Sequence, residues 1–525
     1  MKIYPIGTLP YPKNLTNKLV NKRTKTVAHF WVPTNFTGPA SLSMAAESRR
    51  KKPTAVFMAF GTKGDVYPIS AIAAAFATDQ KQYEVAFVTH SAHENLKGHL
   101  GAKGVDYFPI YSPPVFSLSD TGGFCKRSAV EYFSQQKKEI TRKHRQECLS
   151  VVERIYGEGP IMDGDLIIIN FFALEGWSLA ELFNVQCVVA APYVVPYSAP
   201  SSFERQFRNK LPLLYKYLRE APMGKDPITS LPTWHVRPSS PLLLYGFSQE
   251  VVECPGYWPS SVRVCGFWLT PVEWQFSCAT CADISSLGKP NAEDELCPIH
   301  VKLKVFLDSS AERPIFVSLS SVGSMGYLRN PQAFLRVLRY VLNITNHRFI
   351  LFTAGYRPLD AAIKIYAQTP SSSATEQMQS SEIQSCLFDG RLFCFSGAVQ
   401  YSWLFPRCAA AIHHGGSGST AAALHTGIPQ IICPFILDQF YWAERMFWLG
   451  VAPEPLNSAY LLPDKDDDAC LSKAANVLVE AINYAFSPEV KLRATQIAER
   501  ISTEDGVSTA LQIIKKKFLQ IDVKG

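Results

Sequence analysis

The sequence predicts an α/β protein of two domains, each built on an open, mainly parallel sheet. Three observations carry that expectation. Apolar runs of strand length alternate with helix-like stretches, as in strand-helix-strand units. The alternation stops near residue 245 and restarts near residue 313. A chain of 525 residues, 47% hydrophobic and 18% charged, is long enough to fill two cores.

The first domain, 53–245, opens with TAVFMAF (54–60), an apolar run followed by the turn GTKGDVYP and the alanine-rich ISAIAAAFATD, which favours helix. YEVAFVTH (83–90), VDYFPI (105–110), DLIIIN (165–170) and VQCVVAAP (185–192) follow as strands, with the helix-like ALEGWSLAELF before the last. Residues 246–312 read as linker and surface insertion, because Pro255, Pro259, Pro271, Pro290 and Pro298 interrupt them. The second domain, 313–460, repeats the alternation with PIFVSLSS (314–321), a helix at 331–344, RFILFTAG (348–355), RLFCFSG (391–397), AAAIHH (409–414) and, after another helix, PQIICPF (429–435). The serine-rich segment 370–382 reads as a surface loop, and 461–525 as carboxyl-terminal helices.

The net charge of +7 gathers in residues 1–52, which end in Arg49, Arg50, Lys51 and Lys52 and hold one acid, Glu47. That segment reads as a disordered basic tail, a candidate for peripheral contact with anionic lipid or for organelle transit. No apolar run is long enough to span a bilayer, since the best of them, 166–183, is broken by Glu175 and Glu181. The amino end lacks the apolar core of a secretory signal, so the thirteen cysteines are expected as free thiols in a reducing, cytoplasmic setting. No basic platform interleaved with aromatics is present, which argues against nucleic acid. Cys278 and Cys281 form a CxxC with only Cys297 nearby, short of the four ligands of a structural zinc, and no metal is expected.

Two glycine turns carry the chemistry. In open α/β sheets ligands bind outside the carboxyl ends of the strands, where both turns are expected. In HHGGSGSTAAAL (413–424) glycines let the backbone approach a ligand, and the helix that follows offers unpaired amides and a positive dipole end to an anion. A plain strand-to-helix turn, capped by Ser417 or Ser419, is the alternative. The missing GKS or GKT disfavours an ATP-hydrolysing P-loop. His413 and His414 are adjacent on an extended strand and point to opposite faces, so they do not pair on a metal. Asp438 and Gln439, after the next apolar run, suit sugar hydroxyls, although Asp438 is also placed to cap a helix. Asp65, in GTKGDVYP, is either a helix cap or a general base that takes the proton of an attacking alcohol. Lys63 beside it is either a solvated charge or a phosphate contact.

At these residues the sequence resembles a known family. GTKGDVYP, the run 403–453 from WLFPRCAAAIHHGGSGST to FWLGVAP, and EDGVSTALQIIKK (504–516) resemble the UDP-glycosyltransferase superfamily, and within it the sterol 3-beta-glucosyltransferase branch. The resemblance implies a GT-B fold, two facing Rossmann-like domains with a cleft between them and a last helix returning to the first domain. It implies an inverting enzyme that needs no metal or cofactor and moves glucose from UDP-glucose, a substrate, to a sterol or related lipophilic alcohol. It assigns Asp65 as catalytic base and places Thr62, Lys63, Ser321, Val399, Tyr401, His414, Gly416, Ser417, Gly418, Ser419, Asp438 and Gln439 on the donor, with His413 structural. The chain departs from the family pattern at Gln400 and Tyr401, where a Pro-His pair is usual, and at Ser320, which stands for a glycine. These departures keep open a non-catalytic protein that binds a nucleotide sugar or lipid on the same fold, and transfer to another small lipophilic acceptor. A dinucleotide oxidoreductase is disfavoured, because GTKGDV is not GxGxxG.

Overall fold

The structure is a computed structural model and describes residues 50–112, 127–157, 160–193, 241–252, 254, 260–271, 274, 298–319, 322–323, 325–368, 384–397, 399, 401–436, 438–463 and 467–519. The CxxC, Ser320, Ser321, Gln400, the serine-rich segment and residues 1–49 of the basic tail lie outside them.

The first domain runs β1 (Thr54–Met58), α1 (Lys63–Asp79), β2 (Glu84–His90), α2 (Leu96–Gly101), β3 (Val105–Ile110), α3 (Arg127–Tyr156), β4 (Leu166–Ile169), α4 (Glu175–Leu182), β5 (Gln186–Ala191), β6 (Leu242–Tyr245) and β7 (Val262–Val264). Its seven strands are all parallel, in the order β3-β2-β1-β4-β5-β6-β7. Helices cover both faces of such a sheet, and the strands read as continuous apolar runs: every residue of β1, β4 and β6 is buried. The chain order reverses between β1 and β4, so the crevice of this sheet opens beyond their carboxyl ends.

The second domain contains α5 (Pro298–Asp308), β8 (Ile315–Ser318), α6 (Pro331–Ile344), β9 (Phe349–Phe352), α7 (Arg357–Ala367), β10 (Gln384–Leu387), β11 (Leu392–Phe395), α8 (Tyr401–Leu404), β12 (Ala410–His413), α9 (Ser417–Thr426), β13 (Gln430–Ile432) and α10 (Gln439–Trp448). Its sheet has the order β10-β11-β9-β8-β12-β13, parallel except for the β10–β11 edge pair, and reverses between β8 and β12. Four further helices follow: α11 (Ser458–Leu461), α12 (Asp468–Ala485), α13 (Pro488–Ile501) and α14 (Gly506–Ile514).

The two domains share packed surface. Trp442 of α10 meets Phe247 edge-on at 6.3 Å, and both belong to one buried cluster with Ile497 and Ile501 of α13. The last helix returns to the first domain, where Ala510, Leu511 and Ile514 enter the core around Val66, Ile69 and Phe76 of α1.

Two expected boundaries move. The segment 246–312 is not wholly linker: β7 pairs with β6, and Phe247, Ser248, Val251 and Val252 are buried in the first domain. Between prolines, a three-residue strand has too little length to show a period. Arg50 and Lys52, expected in the tail of 1–52, are held against the first domain: the Arg50 guanidinium bonds both oxygens of the buried Asp165 at 2.9 Å, and Lys52 Nζ donates to Lys81 O at 2.9 Å.

Candidate active site

The first glycine turn leaves β1 at the point where the sheet order reverses. Gly61 has φ +112°, and a Cβ there would lie 2.6 Å from Asp65 Oδ2, so the turn requires glycine twice over. Asp65 reaches back to the start of α1, where its Oδ2 accepts from Thr62 N at 2.7 Å and from Thr62 Oγ1 at 2.8 Å. The capping role and the cleft position therefore coexist. Among the described residues Oδ1 accepts no hydrogen bond. Burial pushes the carboxyl up to about 6, against the lowering effect of the Thr62 bonds. Burial also lowers the pKa of Lys63, whose Nζ lies 5.9 Å from the Tyr67 ring centroid.

The second turn leaves β12, again where the order reverses. His413 is structural: Gly415 N donates to its Nδ1 at 3.0 Å, which puts the proton on Nε2, and Nε2 donates to Gln430 Oε1 at 2.9 Å. His414 points to the other side and, with burial pushing it down to about 4, is a neutral imidazole at pH 7. A Cβ on Gly416 would lie 2.6 Å from His414 Nε2, so only glycine lets the ring lie against the turn. The first bond of α9 is Thr420 N to Gly416 O, which leaves the amides of Ser417, Gly418 and Ser419 at a helix start.

Tyr401 reaches the start of α9. Its ring stacks on Phe405 at 4.6 Å, and its hydroxyl hydrogen-bonds with Ser318 and Ser419. Val399 packs half-buried against the same aromatic cluster. The phenol is thereby joined to the first turn of α9 through Ser419.

Asp438 stands at the amino end of α10, and its Oδ2 accepts from Trp442 Nε1 at 3.2 Å. Burial, and then the charge of Asp65, push it up to about 7. Gln439 turns its carbonyl to the preceding loop, accepting from Phe435 N at 2.9 Å and Ile436 N at 3.2 Å, and among the described residues its amide N–H groups donate no hydrogen bond. The two turns face each other: a Cβ on Gly64 would lie 4.0 Å from Gly418 N, and one on Gly418 3.7 Å from Gly64 Cα. A carboxyl raised to about 6, a helix start suited to an anion and a carboxyl-amide pair thus meet at one place.

Two residues of this place were not singled out from sequence. Asn170, fully buried after β4, accepts from Phe60 N at 3.1 Å and donates to Phe60 O at 2.7 Å and Asp65 O at 3.2 Å. His93, buried after β2, has its Nε2 3.0 Å from Gly61 O. The polar end of DLIIIN was a usable cue, whereas nothing local marks His93.

Residues 395–508 match the family model described as erythromycin biosynthesis protein CIII-like, C-terminal domain. A sterol 3-beta-glucosyltransferase of Arabidopsis thaliana is 25% identical over 88% of this chain and 65% of its own length. One from Emericella nidulans is 23% identical over 87% of this chain and 29% of its own. The chain thus spans just under two thirds of the plant relative and under a third of the fungal one. Among solved structures, the glycotransferase of kitacinnamycin and the calicheamicin glycosyltransferase CalG4 each superpose with a TM-score of 0.55 at 14% identity, covering 89% and 90% of this chain and all of theirs. The chain has the GT-B glycosyltransferase fold and is similar in sequence to sterol 3-beta-glucosyltransferases of plants and fungi.

Proposed function

We propose that the protein transfers glucose from UDP-glucose to the hydroxyl of a sterol or a similar lipophilic alcohol, with inversion and without a metal. The observation that carries this reading is the meeting of Asp65, the α9 amino end and Asp438 across one cleft. Asp65, titrating near 6, is ionised at neutral pH yet basic enough to take the acceptor proton as the new bond forms. The acceptor oxygen attacks the anomeric carbon from the face opposite the nucleotide, the carbon–oxygen bond to the diphosphate breaks, and its electron pair leaves with UDP. An α-linked donor then yields a β-glucoside. Negative charge growing on the diphosphate meets the amides of Ser417, Gly418 and Ser419 and an N–H of His414. Asp438 and the Gln439 amide are the partners for glucose hydroxyls.

Labelled UDP-glucose with plant and fungal sterols tests the reading, with product stereochemistry read by NMR and EDTA present in one arm. The expected outcome is a β-glucoside from the wild type, EDTA-insensitive, and at least about a 100-fold loss in Asp65→Asn with UDP affinity retained. UDP binding without product on any acceptor would favour a binding protein instead.

A further inference from the structure

We propose that Asn170 and His93 are positioning residues that hold the Gly61 turn from both sides and thereby aim the Asp65 carboxylate. The inference rests on Asp65 being the base. In the sheet, β1 lies between β2 and β4, and the two side chains come from the loops that follow those neighbours. The β1–β4 ladder ends with Asn170 N donating to Met58 O at 3.0 Å. The Asn170 carboxamide then takes the place of the next peptide group, pairing with both the N–H and the C=O of Phe60 and spending its second N–H on Asp65 O. All of its carboxamide groups are used, in a fully buried position where an unpaired peptide group is costly.

On the other side, a carbonyl can only accept, so the His93 proton sits on Nε2 and is given to Gly61 O at 3.0 Å. Its Nδ1 is buried with no hydrogen-bond partner among the described residues. That is an unfavourable arrangement for a histidine serving packing alone. It fixes the carbonyl of the one residue in the turn with φ above +100°. Among the described residues, every side-chain hydrogen bond of this pair lands on main chain of residues 60, 61 and 65, and none on the Asp65 carboxylate. Their effect on the base is therefore one of direction, and the donor residues of the second domain are untouched by it.

The test compares Asn170→Ala, Asn170→Asp, His93→Ala and His93→Gln with the wild type and Asp65→Asn. Displacing a reacting group by about 1 Å costs on the order of 100-fold. Asn170→Ala and His93→Ala should lose about 10- to 100-fold in kcat with KM for UDP-glucose and Kd for UDP within about twofold. His93→Gln, which retains an N–H donor, should recover most of the loss. Asn170→Asp, which loses both donors and adds a charge, should shift the acid limb of kcat/KM to higher pH. If Asn170→Ala does not fold, the Asp variant and the His93 pair are read in its place. Independently of any acceptor, 13C-carboxyl aspartate spectra assigned with Asp65→Asn should show the Asp65 midpoint moving toward the ordinary carboxylate range in Asn170→Ala and His93→Ala. An unmoved midpoint, or kcat within twofold for both alanine variants while Asp65→Asn is inactive, overturns the inference. A wild type that transfers no glucose overturns the reading of Asp65, and the spectra still decide the positioning.

Discussion

Asp65 and Asp438 belong to different domains, yet the charge of Asp65 adds to burial in raising the pKa of Asp438. Their folded pKa values, about 6 and about 7, lie above those of an unfolded chain. The folded state then holds more protons than the unfolded one between about pH 4 and 7, and the stability these groups contribute is present at low pH and lost as pH rises through that window. At pH 7.5 the two ionised carboxylates lower stability. Asp438→Asn removes one of the two charges and can keep the acceptor for Trp442 Nε1. Calorimetry should show its Tm about 2–4 °C above wild type at pH 7.5, the difference closing toward pH 4, while transfer falls. A lower Tm at pH 7.5 would show that the carboxylate is held by favourable partners. Of the residues in this cleft, Asp65, His414 and Asp438 were legible because each lies after an apolar run, beside a turn signal. His93 was not, since its partner is a carbonyl 32 positions away in the chain.

Helix α9 acts through its first turn. Ser417 is its first residue, and Gly416 before it is extended, with φ −65° and ψ 146°, the conformation proline demands of its predecessor. Ser417→Pro therefore fits the helix while deleting one amide donor, and Ser417→Ala deletes the hydroxyl alone. A charge-assisted hydrogen bond contributes about 1.5–3 kcal/mol, so UDP should bind about tenfold or more weakly to the proline variant than to the alanine variant, by calorimetry. Equal affinities would remove that amide from the donor site. The strands of this architecture were legible as elements, because a parallel sheet covered on both faces turns TAVFM or LIII into unbroken apolar text. Strand β7, VRV, was not, because three residues show no period and only pairing with β6 makes them a strand.

Across the whole molecule, the carboxyl-terminal segment ties the second domain back to the first. Ser248 Oγ donates to Glu504 Oε1 at 2.6 Å, Arg500 pairs with Glu250 at 3.4 Å, and Lys515 with Asp79 at 2.9 Å. At the crossing a Cβ on Gly506 would lie 2.4 Å from Gly266 O and 2.5 Å from Phe267 O, backbone that cannot yield cheaply. Gly506→Val should lower stability by about 1–3 kcal/mol and speed tryptic cleavage at Lys515 to Lys517, read by denaturant unfolding and limited proteolysis. Unchanged cleavage would mean the last helix holds without that close approach. The sequence by itself determined the alternation of strands and helices, the two glycine turns and the family likeness, because these depend on local period, on conformations that glycine alone adopts and on motif text. Only the tertiary structure decided that the two turns meet at Gly64 and Gly418, that Tyr401 bonds Ser419 at the start of α9, and that Asn170 and His93 grip the turn that carries Asp65. Each of those depends on distances between residues far apart in the chain, which burial and strand order set and local sequence does not encode.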